Sequence, residues 1–419
     1  MRVAVIGAGI VGVSTAYELV VLGHEVTVYE RRGSVAEEAS FGNAGVLAPG
    51  YAAPWAAPGM GWKALRQLFS ADAPLRLGGW NALGQIPWMW RCWRASAPRV
   101  YKANRGAMLR LAQFSRDRLL ELTRNLNLEF EQMPGFMVLL RSERELKAAQ
   151  SGLAVLRELG APHELIDAQR CRHHEPGLNP ETALHAAIHL PQDGVGNCRH
   201  YAHLLKAQAQ RMGASFCFEL NVTAVVPGHA PQIHTTSGAP REFDAVVVCA
   251  GVQANALLAN LGLRLPLTPV YGYSVTAPLR HLDGGYPPLG PRAALMDERY
   301  KVAVSRLGQR IRVAGIAEIG GRLDHLTQSS LRTLYRVLDD WFPGAALSRD
   351  AQHWKGARPM LPDGPPVLGD SGAPGVWLNL GHGASGWALA SGSARVLAEC
   401  ISGRTSPTDL SGLTAARLR

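Results

Sequence analysis

Val3–Gly12 reads VAVIGAGIVG, and the interpretation of this stretch sets the fold. Arg2–Ile6 reads as a buried strand, the glycines at 7, 9 and 12 as a phosphate-binding turn, and Val11–Leu22 as a helix packed back on the strand. Gly7 permits the tight turn, Gly9 lets the backbone approach a pyrophosphate, and Gly12 lets helix and strand pack closely. Phosphates would sit on the helix N-terminus, where free N–H groups and the dipole favour negative charge. A second strand, Glu25–Tyr29, follows at βαβ spacing and leads into Glu30, 18 residues after Gly12, where a carboxylate accepts from a ribose 2′-OH. Arg31 and Arg32 would suit a 2′-phosphate, but Glu30 opposes one, so a non-phosphorylated ribose is expected. Because the first strand starts at Arg2, no secretory leader is expected ahead of it.

A chain of 419 residues exceeds one ordinary core, so about two domains are expected. Hydrophobic residues at 47% and charged residues at 18% describe a folded chain and exclude a disordered one. The six cysteines (Cys92, Cys171, Cys198, Cys217, Cys249, Cys400) are scattered without a CxxC, so neither a metal site nor a disulfide framework is expected, and a reducing, cytoplasmic setting fits. No apolar run is long enough for a membrane-spanning helix. The net charge of +10 is compatible with anionic metabolites, an anionic membrane surface or nucleic acid. Its basic residues form no block and no nucleic-acid motif, so nucleic acid is not expected as a partner.

Outward from the first motif, residues 34–50 form a loop of small residues, with Ser40 and Asn43 as short polar groups, along which a flat ligand could lie. Residues 51–100 hold six of the ten tryptophans (Trp55, Trp62, Trp80, Trp88, Trp90, Trp93), interspersed with Lys63, Arg66, Arg76, Arg91, Arg94 and Arg99. Exposed, that mixture suits a membrane interface; buried, it is a lid or core. Helical periodicity covers 106–126, 142–160 (with Gly160 as stop), Arg199–Met212 and Ser329–Trp341. Gly135–Leu140 and Phe216–Leu220 read as strands, and Phe243–Cys249 as a buried strand that delivers the small-residue turn Ala250-Gly251. Alternating strands follow at Val270–Thr276, Lys301–Arg306 and Arg310–Ala317. Val376–Asn379, the turn Gly381-His382-Gly383 and the helix Gly386–Ile401 close the chain with a second strand, glycine turn and helix. The expected fold is α/β: a Rossmann-type FAD-binding domain (1–50, 150–265 and 350–419) plus an α+β substrate domain with a mainly antiparallel sheet (51–149 and 266–349).

A long dinucleotide fits this arrangement, with one half in the first βαβ and a flavin in a second cradle far along the chain; FAD is therefore expected rather than NAD. Five runs carry a family resemblance: MRVAVIGAGIVGVSTAY at 1–17, NAGVLAPGYAAPWAAPG at 43–59, YKVAVSRLGQRIRVAGIAE at 300–318, GARPMLPDGPPVLG at 356–369 and LNLGHGASGW at 378–387. On these runs the chain resembles the FAD-dependent D-amino-acid dehydrogenases of the small-subunit type, within the D-amino-acid oxidase and glycine oxidase superfamily. The resemblance implies that Gly7, Ala8, Gly9, Ile10, Val11 and Gly12 hold the pyrophosphate and Glu30 the adenosine ribose, with Arg31 beside it. It places Ser40 at the phosphates, Asn43, Ala44, Gly45 and Val46 along the isoalloxazine, and the Val222 backbone at the adenine edge. Ala250 and Gly251 would line the cofactor, and His382, Gly383 and Gly386 would sit near the pyrimidine ring, with Gly356 and Gly381 also in the cofactor-binding set. No His or Cys stands at 41–45 of the sort that carries covalent flavin in some relatives, so non-covalent FAD is expected.

The activity implied is oxidation of a D-amino acid to an imino acid, which hydrolyses to a 2-oxo acid and ammonia. Hydride passes from Cα to flavin N5, and the electrons then go to a quinone or dye rather than oxygen. A substrate carboxylate needs a fork donor. Arg358, in the GARP run, is the first candidate by resemblance, and Arg306, at the end of a substrate-sheet strand, the second. Tyr300, Tyr271 and Tyr273 are candidate hydroxyl donors with core packing as their alternative, and His382 a candidate for stabilising charge at flavin N1–C2=O. The competing activities are an oxygen-using D-amino-acid or secondary-amine oxidase of the same fold, an RNA-binding flavoprotein and a NAD-dependent reductase. The expected location is cytoplasmic, with peripheral contact at the inner face of the cell membrane.

Overall fold

The first motif folds as its pattern predicts. In the computed structural model, which describes residues 1–59, 73–280 and 289–418, strand β1 (Arg2–Ile6) runs into helix α1 (Ile10–Val21) and then strand β2 (Glu25–Tyr29). β1 is parallel to β2 on one side and to Ala245–Val248 on the other, with Val3 opposite both Val26 and Ala245. The sheet has six strands in the order Val367–Asp370, Val376–Leu380, Ala245–Val248, β1, β2, Ser215–Cys217, and only the first is antiparallel to its neighbour. Its central strands are buried on both faces, which is why they read as unbroken apolar runs rather than as alternation. One face packs Val3 and Val5 against Val13, Leu205 and Leu397 of three helices. The other packs Ala4, Ile6 and Val248 against Val225 and Ile233 of a small three-stranded sheet.

A second sheet stands beside the first. Its order is Gln352–Met360, Thr268–Pro278, Arg310–Ile319, Val302–Leu307, Ala294–Asp297, Met133–Leu140, Ala186–Val195, Val46–Leu47. Most ladders are antiparallel; those of Ala294–Asp297 with Met133–Leu140 and of Leu75–Leu77 with Arg310–Ile319 are parallel. Period-two alternation divides the strand Thr268–Pro278. Tyr273, Val275 and Ala277 point into the core under the helix Gln328–Trp341, and Val270 points to the opposite side, against Trp88 and Met360.

Strand pairing departs from the expected segment boundaries. Glu164–Asp167 and Ala186–Val195, inside 150–265, and Gln352–Met360, inside 350–419, all run in the second sheet. The helix Pro98–Asn125, inside 51–149, packs on Gly386–Ile401 of the nucleotide side, where Ser115 Oγ accepts from the Gly392 amide at 3.0 Å. The chain crosses between the two sheets several times, and ladders between distant segments decide membership. That helix also starts eight residues before the expected 106, with Pro98 at its first turn, a position where its missing N–H costs nothing. The expected strand Phe216–Leu220 stops at Cys217, because the backbone turns through Glu219 at φ 57°.

The tryptophan-rich segment splits into two environments. Trp55 and Trp88 pack together with ring centroids 6.0 Å apart and Trp88 buried, whereas Trp80, Trp90 and Trp93 are 88%, 57% and 57% exposed. Trp62, Lys63 and Arg66 lie outside the described residues. Among the described residues, no helix is long and apolar enough to cross a membrane, no group of side chains could hold a metal ion, and the six cysteines are free.

Candidate active site

A cavity of about 400 Å³ runs from the β1–α1 turn to the N-terminus of the last long helix. At one end it is lined by Gly7, Gly9, Ile10, Val11, Glu30, Arg31, Ser40 and Val222, and at the other by Ala250, Gly251, Gly381, His382, Gly383 and Gly386. The turn is built as its glycines require. A Cβ on Gly12 would stand 1.8 Å from the Gly7 carbonyl oxygen, and one on Gly7, at φ 101°, 2.7 Å from the Cys249 carbonyl oxygen. A Cβ on Gly9, by contrast, would meet only Ser40 Oγ, at 3.6 Å, so the space above the turn stays clear. Ser40 Oγ accepts from the Ile10 amide at 3.1 Å. Glu30 closes the end of β2, one oxygen accepting from the Ala8 amide at 2.7 Å and the other from the Arg32 amide at 2.8 Å.

Two helices direct their N-termini here, α1 at Ile10 and the helix Gly386–Ile401, and neither has an acidic residue in its first turn. Both positive ends are left for a ligand. Asn379, on the strand that leads to the second helix, donates its amide to Thr15 Oγ1 of α1 at 2.9 Å. A long groove with two uncompensated helix N-termini, a carboxylate at one end and Cβ-free walls fits a dinucleotide such as FAD.

His382 is buried, and burial pushes its imidazole down to about 3, so it is neutral. Ser393 Oγ donates to the Ala390 carbonyl at 3.1 Å and so accepts from His382 Nε2 at 3.0 Å. This network assigns the proton to Nε2 and leaves Nδ1 as an acceptor. His382 therefore lines the cavity with its Nε2–H committed to Ser393.

The candidate carboxylate-binding residues lie on the second sheet or beside it. Gly272 pairs with Gly356, and Val270 with Arg358. The Arg358 side chain crosses Gly272, where an added Cβ would stand 2.3 Å from Nη2. Its Nη1 donates to the Ile316 carbonyl at 2.8 Å and Nη2 to that of Gly315 at 3.4 Å. Those carbonyls turn toward it because the ladder between Thr268–Pro278 and Arg310–Ile319 shifts register between Tyr271 and Tyr273, with Ile316 at φ 59°. Ile316 is β-branched, so that conformation is strained and must be held by its surroundings. Arg358 has no carboxylate partner among the described residues, and burial alone pushes its guanidinium down to about 10, which leaves it charged at neutral pH.

The other candidates separate from Arg358. Arg306 Nε donates to the Gly308 carbonyl at 3.0 Å, on the side where Glu175 accepts from the Arg292 amide; neither Arg306 nor Arg358 is among the residues that line the cavity. Tyr300 packs against the substrate-sheet core, with the Arg141 guanidinium 5.1 Å from its ring centroid. Tyr273 is buried and bonded through its hydroxyl to Glu318 and, at 3.0 Å, to Thr327. Tyr271 faces the same side, its ring centroid 5.0 Å from Lys355 Nζ. The placement of Tyr271 and Tyr273 follows from alternation: odd-numbered positions of Thr268–Pro278 point away from Arg358. In the loop, Asn43 lines the cavity, whereas Gly45 packs on Leu307 and Val195, and Val46 pairs with Val195 in the second sheet. Gly356 sits beneath the Trp354 indole rather than in the cavity lining.

Two residues absent from the sequence expectations share the Arg358 face. Arg312 Nε donates to Thr276 Oγ1 at 2.8 Å, and its Nη1 to the Asn43 carbonyl at 2.8 Å, fastening the 41–43 loop to the sheet. Trp354 stacks on Phe41 with ring centroids 6.5 Å apart. A signal was present in both cases, since Arg312 lies in the RIRVAGIAE run and Trp354 two residues before Gly356, but their partners come from segments far away in the chain.

Comparison with known proteins agrees with this geometry. The family described as "DAO: FAD dependent oxidoreductase" matches residues 2–400. A protein of Cereibacter sphaeroides named D-amino acid dehydrogenase is 43% identical over 408 residues, covering 96% of this chain and 92% of that one. One of the same name from Sinorhizobium medicae is 40% identical over 420 residues and covers all of both chains. Among solved structures, glycine oxidase from Geobacillus kaustophilus superposes with a TM-score of 0.76 at 21% identity, covering 99% of this chain and 98% of that one. L-proline dehydrogenase from P. horikoshii gives 0.73 at 19%, covering 97% and 94%. At those identities the two structures establish the fold alone.

Proposed function

The chain belongs to the DAO family of FAD-dependent oxidoreductases, and from that premise we propose that it oxidises free D-amino acids to 2-oxo acids and ammonia. Bound FAD, held non-covalently, supplies the two-electron sink for the Cα–H bond. The names of relatives similar over the full chain support the reaction. The observation that carries it in the structure is Arg358, a charged guanidinium without a carboxylate partner, aimed across Gly272 by two backbone carbonyls.

Two of its five N–H donors are occupied, which leaves an edge of the fork for a substrate carboxylate. Holding that carboxylate fixes Cα, and oriented reactions can gain about 7–11 kcal/mol in this way. Among the described residues, the positions that share the face (Val270, Gly272, Ser274, Thr276, Arg312, Trp354, Gly356) include no acid, and His382 is neutral. That face therefore offers no strong base, and the amine arrives unprotonated in this reading.

The acceptor in this reading is a quinone reached from an anionic membrane surface. Leu77, Trp80, Leu83, Ile86, Trp90 and Trp93 are exposed, and Arg91, Arg94 and Arg99 are exposed in the same stretch. This combination of apolar and basic side chains fits a lipid interface. A panel of D- and L-amino acids assayed with an artificial dye, beside hydrogen peroxide yield in air, tests the reaction. D-specific dye reduction with little peroxide is expected. Dominant peroxide formation would favour an oxidase, and turnover of secondary amines alone would end the proposal.

A further inference from the structure

We propose that Trp354 is the wall that sets the size of the substrate side chain, an inference that rests on the D-amino-acid reading above. Trp354 and Arg358 lie on the same face of the strand Gln352–Met360, two steps either side of Gly356. Each occupies space that a glycine vacates. An added Cβ on Gly356 would stand 1.9 Å from Trp354 Cη2, and one on Gly272 would stand 2.3 Å from Arg358 Nη2. Because Gly356 and Gly272 are cross-strand partners, the indole and the guanidinium cover adjoining positions. A carboxylate seated on the fork therefore brings Cα and its side chain alongside the indole.

The indole cannot swing away easily. Phe41 stacks on it at an interplanar angle of 23°, and the Arg199 guanidinium lies 4.3 Å above the Phe41 centroid. A Cβ on the neighbouring Gly42 would come within 2.2 Å of the ring. Two glycines from distant segments, Gly42 and Gly356, thus clear room for one tryptophan. Trp354 is only partly buried, and its indole N–H has no acceptor among the described residues, so part of the ring meets open space. A rigid aromatic wall next to the carboxylate fork favours short side chains and excludes branched or aromatic ones.

The test compares wild type, W354A and W354F, each qualified by its FAD content. The ratio of kcat/KM for D-phenylalanine to that for D-alanine is expected to rise at least tenfold in W354A and by less in W354F. In parallel, flavin absorbance titrations should show benzoate gaining affinity relative to acetate in the same order, a readout that needs no turnover. Unchanged ratios in FAD-replete variants would overturn the proposal. If W354A loses FAD, W354F and its carboxylate titration carry the comparison. A wild type that oxidises no D-amino acid would instead refute the reaction assignment, independently of Trp354.

Discussion

Arg358 is a guanidinium kept charged in a site that supplies only carbonyl dipoles to it. A lysine there keeps the charge and loses the planar fork, so R358K should cost about 1.5–3 kcal/mol of substrate binding, a KM increase of about tenfold to a hundredfold. Steady-state kinetics with D-alanine, with FAD content as the control, measures it; an unchanged KM would remove Arg358 as the clamp. His382 governs the second prediction at this scale. Burial holds it neutral down to about pH 3, so it contributes no inflection between pH 5 and 8. With no base on the face, kcat/KM should rise about tenfold per pH unit until the substrate ammonium titrates, and this slope should persist when His382 is replaced by Gln. A break near pH 6.5 that disappears in the variant would show the imidazole titrating after all.

At the level of elements, the βαβ start and its glycine turn depend on contacts that tolerate no added atom. In G12A the new methyl would lie 1.8 Å from the Gly7 carbonyl oxygen, a backbone atom that cannot move without displacing α1 from β1. Overpacking of this kind costs about 1–3 kcal/mol. Thermal unfolding should show a lowered Tm, and the purified protein should retain little FAD. The junction of Ala186–Val195 with Gly50 contributes a pH effect. The buried Asp193 carboxyl accepts from the Gly50 amide at 3.2 Å, and burial raises it from 3.8 to about 7. With the folded value above the unfolded one, the native state binds the extra proton. Its contribution to stability is complete below about pH 4 and lost as pH rises through 7. D193N lacks that titration, so its stability relative to wild type should increase between pH 4 and 7, by at most about 1.4 kcal/mol per unit, and level off above. Denaturant melts across that range check the sign.

The whole molecule presents an asymmetric surface. A net charge of +10 accompanies one stretch in which Trp80, Trp90 and Trp93 stand largely free of the core. Wild type should float with vesicles rich in anionic lipid and be released by salt, whereas W80S/W90S/W93S should stay with the soluble fraction. Equal flotation of the two would detach the tryptophans from any lipid contact. The choice of residues comes from the fold, since Trp88 belongs to the same sequence cluster yet packs inward against Trp55.

Local sequence sufficed wherever one short segment carries its own geometry. Gly7, Gly9, Gly12 and Glu30 declare a nucleotide turn because the steric and dipolar demands of a phosphate are met within a single βαβ unit; Gly7, Gly9 and Glu30 line the cavity, and Gly12 packs on the Gly7 carbonyl. The same holds for the helices and buried strands, whose periods reflect which faces are covered. What only the tertiary structure decided were relations between segments remote in the chain. Alternation along the strands sent Arg358 to one face of the sheet and Tyr271 and Tyr273 to the other. Ladders to distant strands moved Ala186–Val195 and Gln352–Met360 into the second sheet. Loop 41–43, closing from the far end of the chain, revealed Trp354 and Arg312. Val3–Gly12 forms its glycine turn within ten consecutive residues, whereas the face that carries Arg358, Trp354 and Arg312 exists only once three strands and a loop have met.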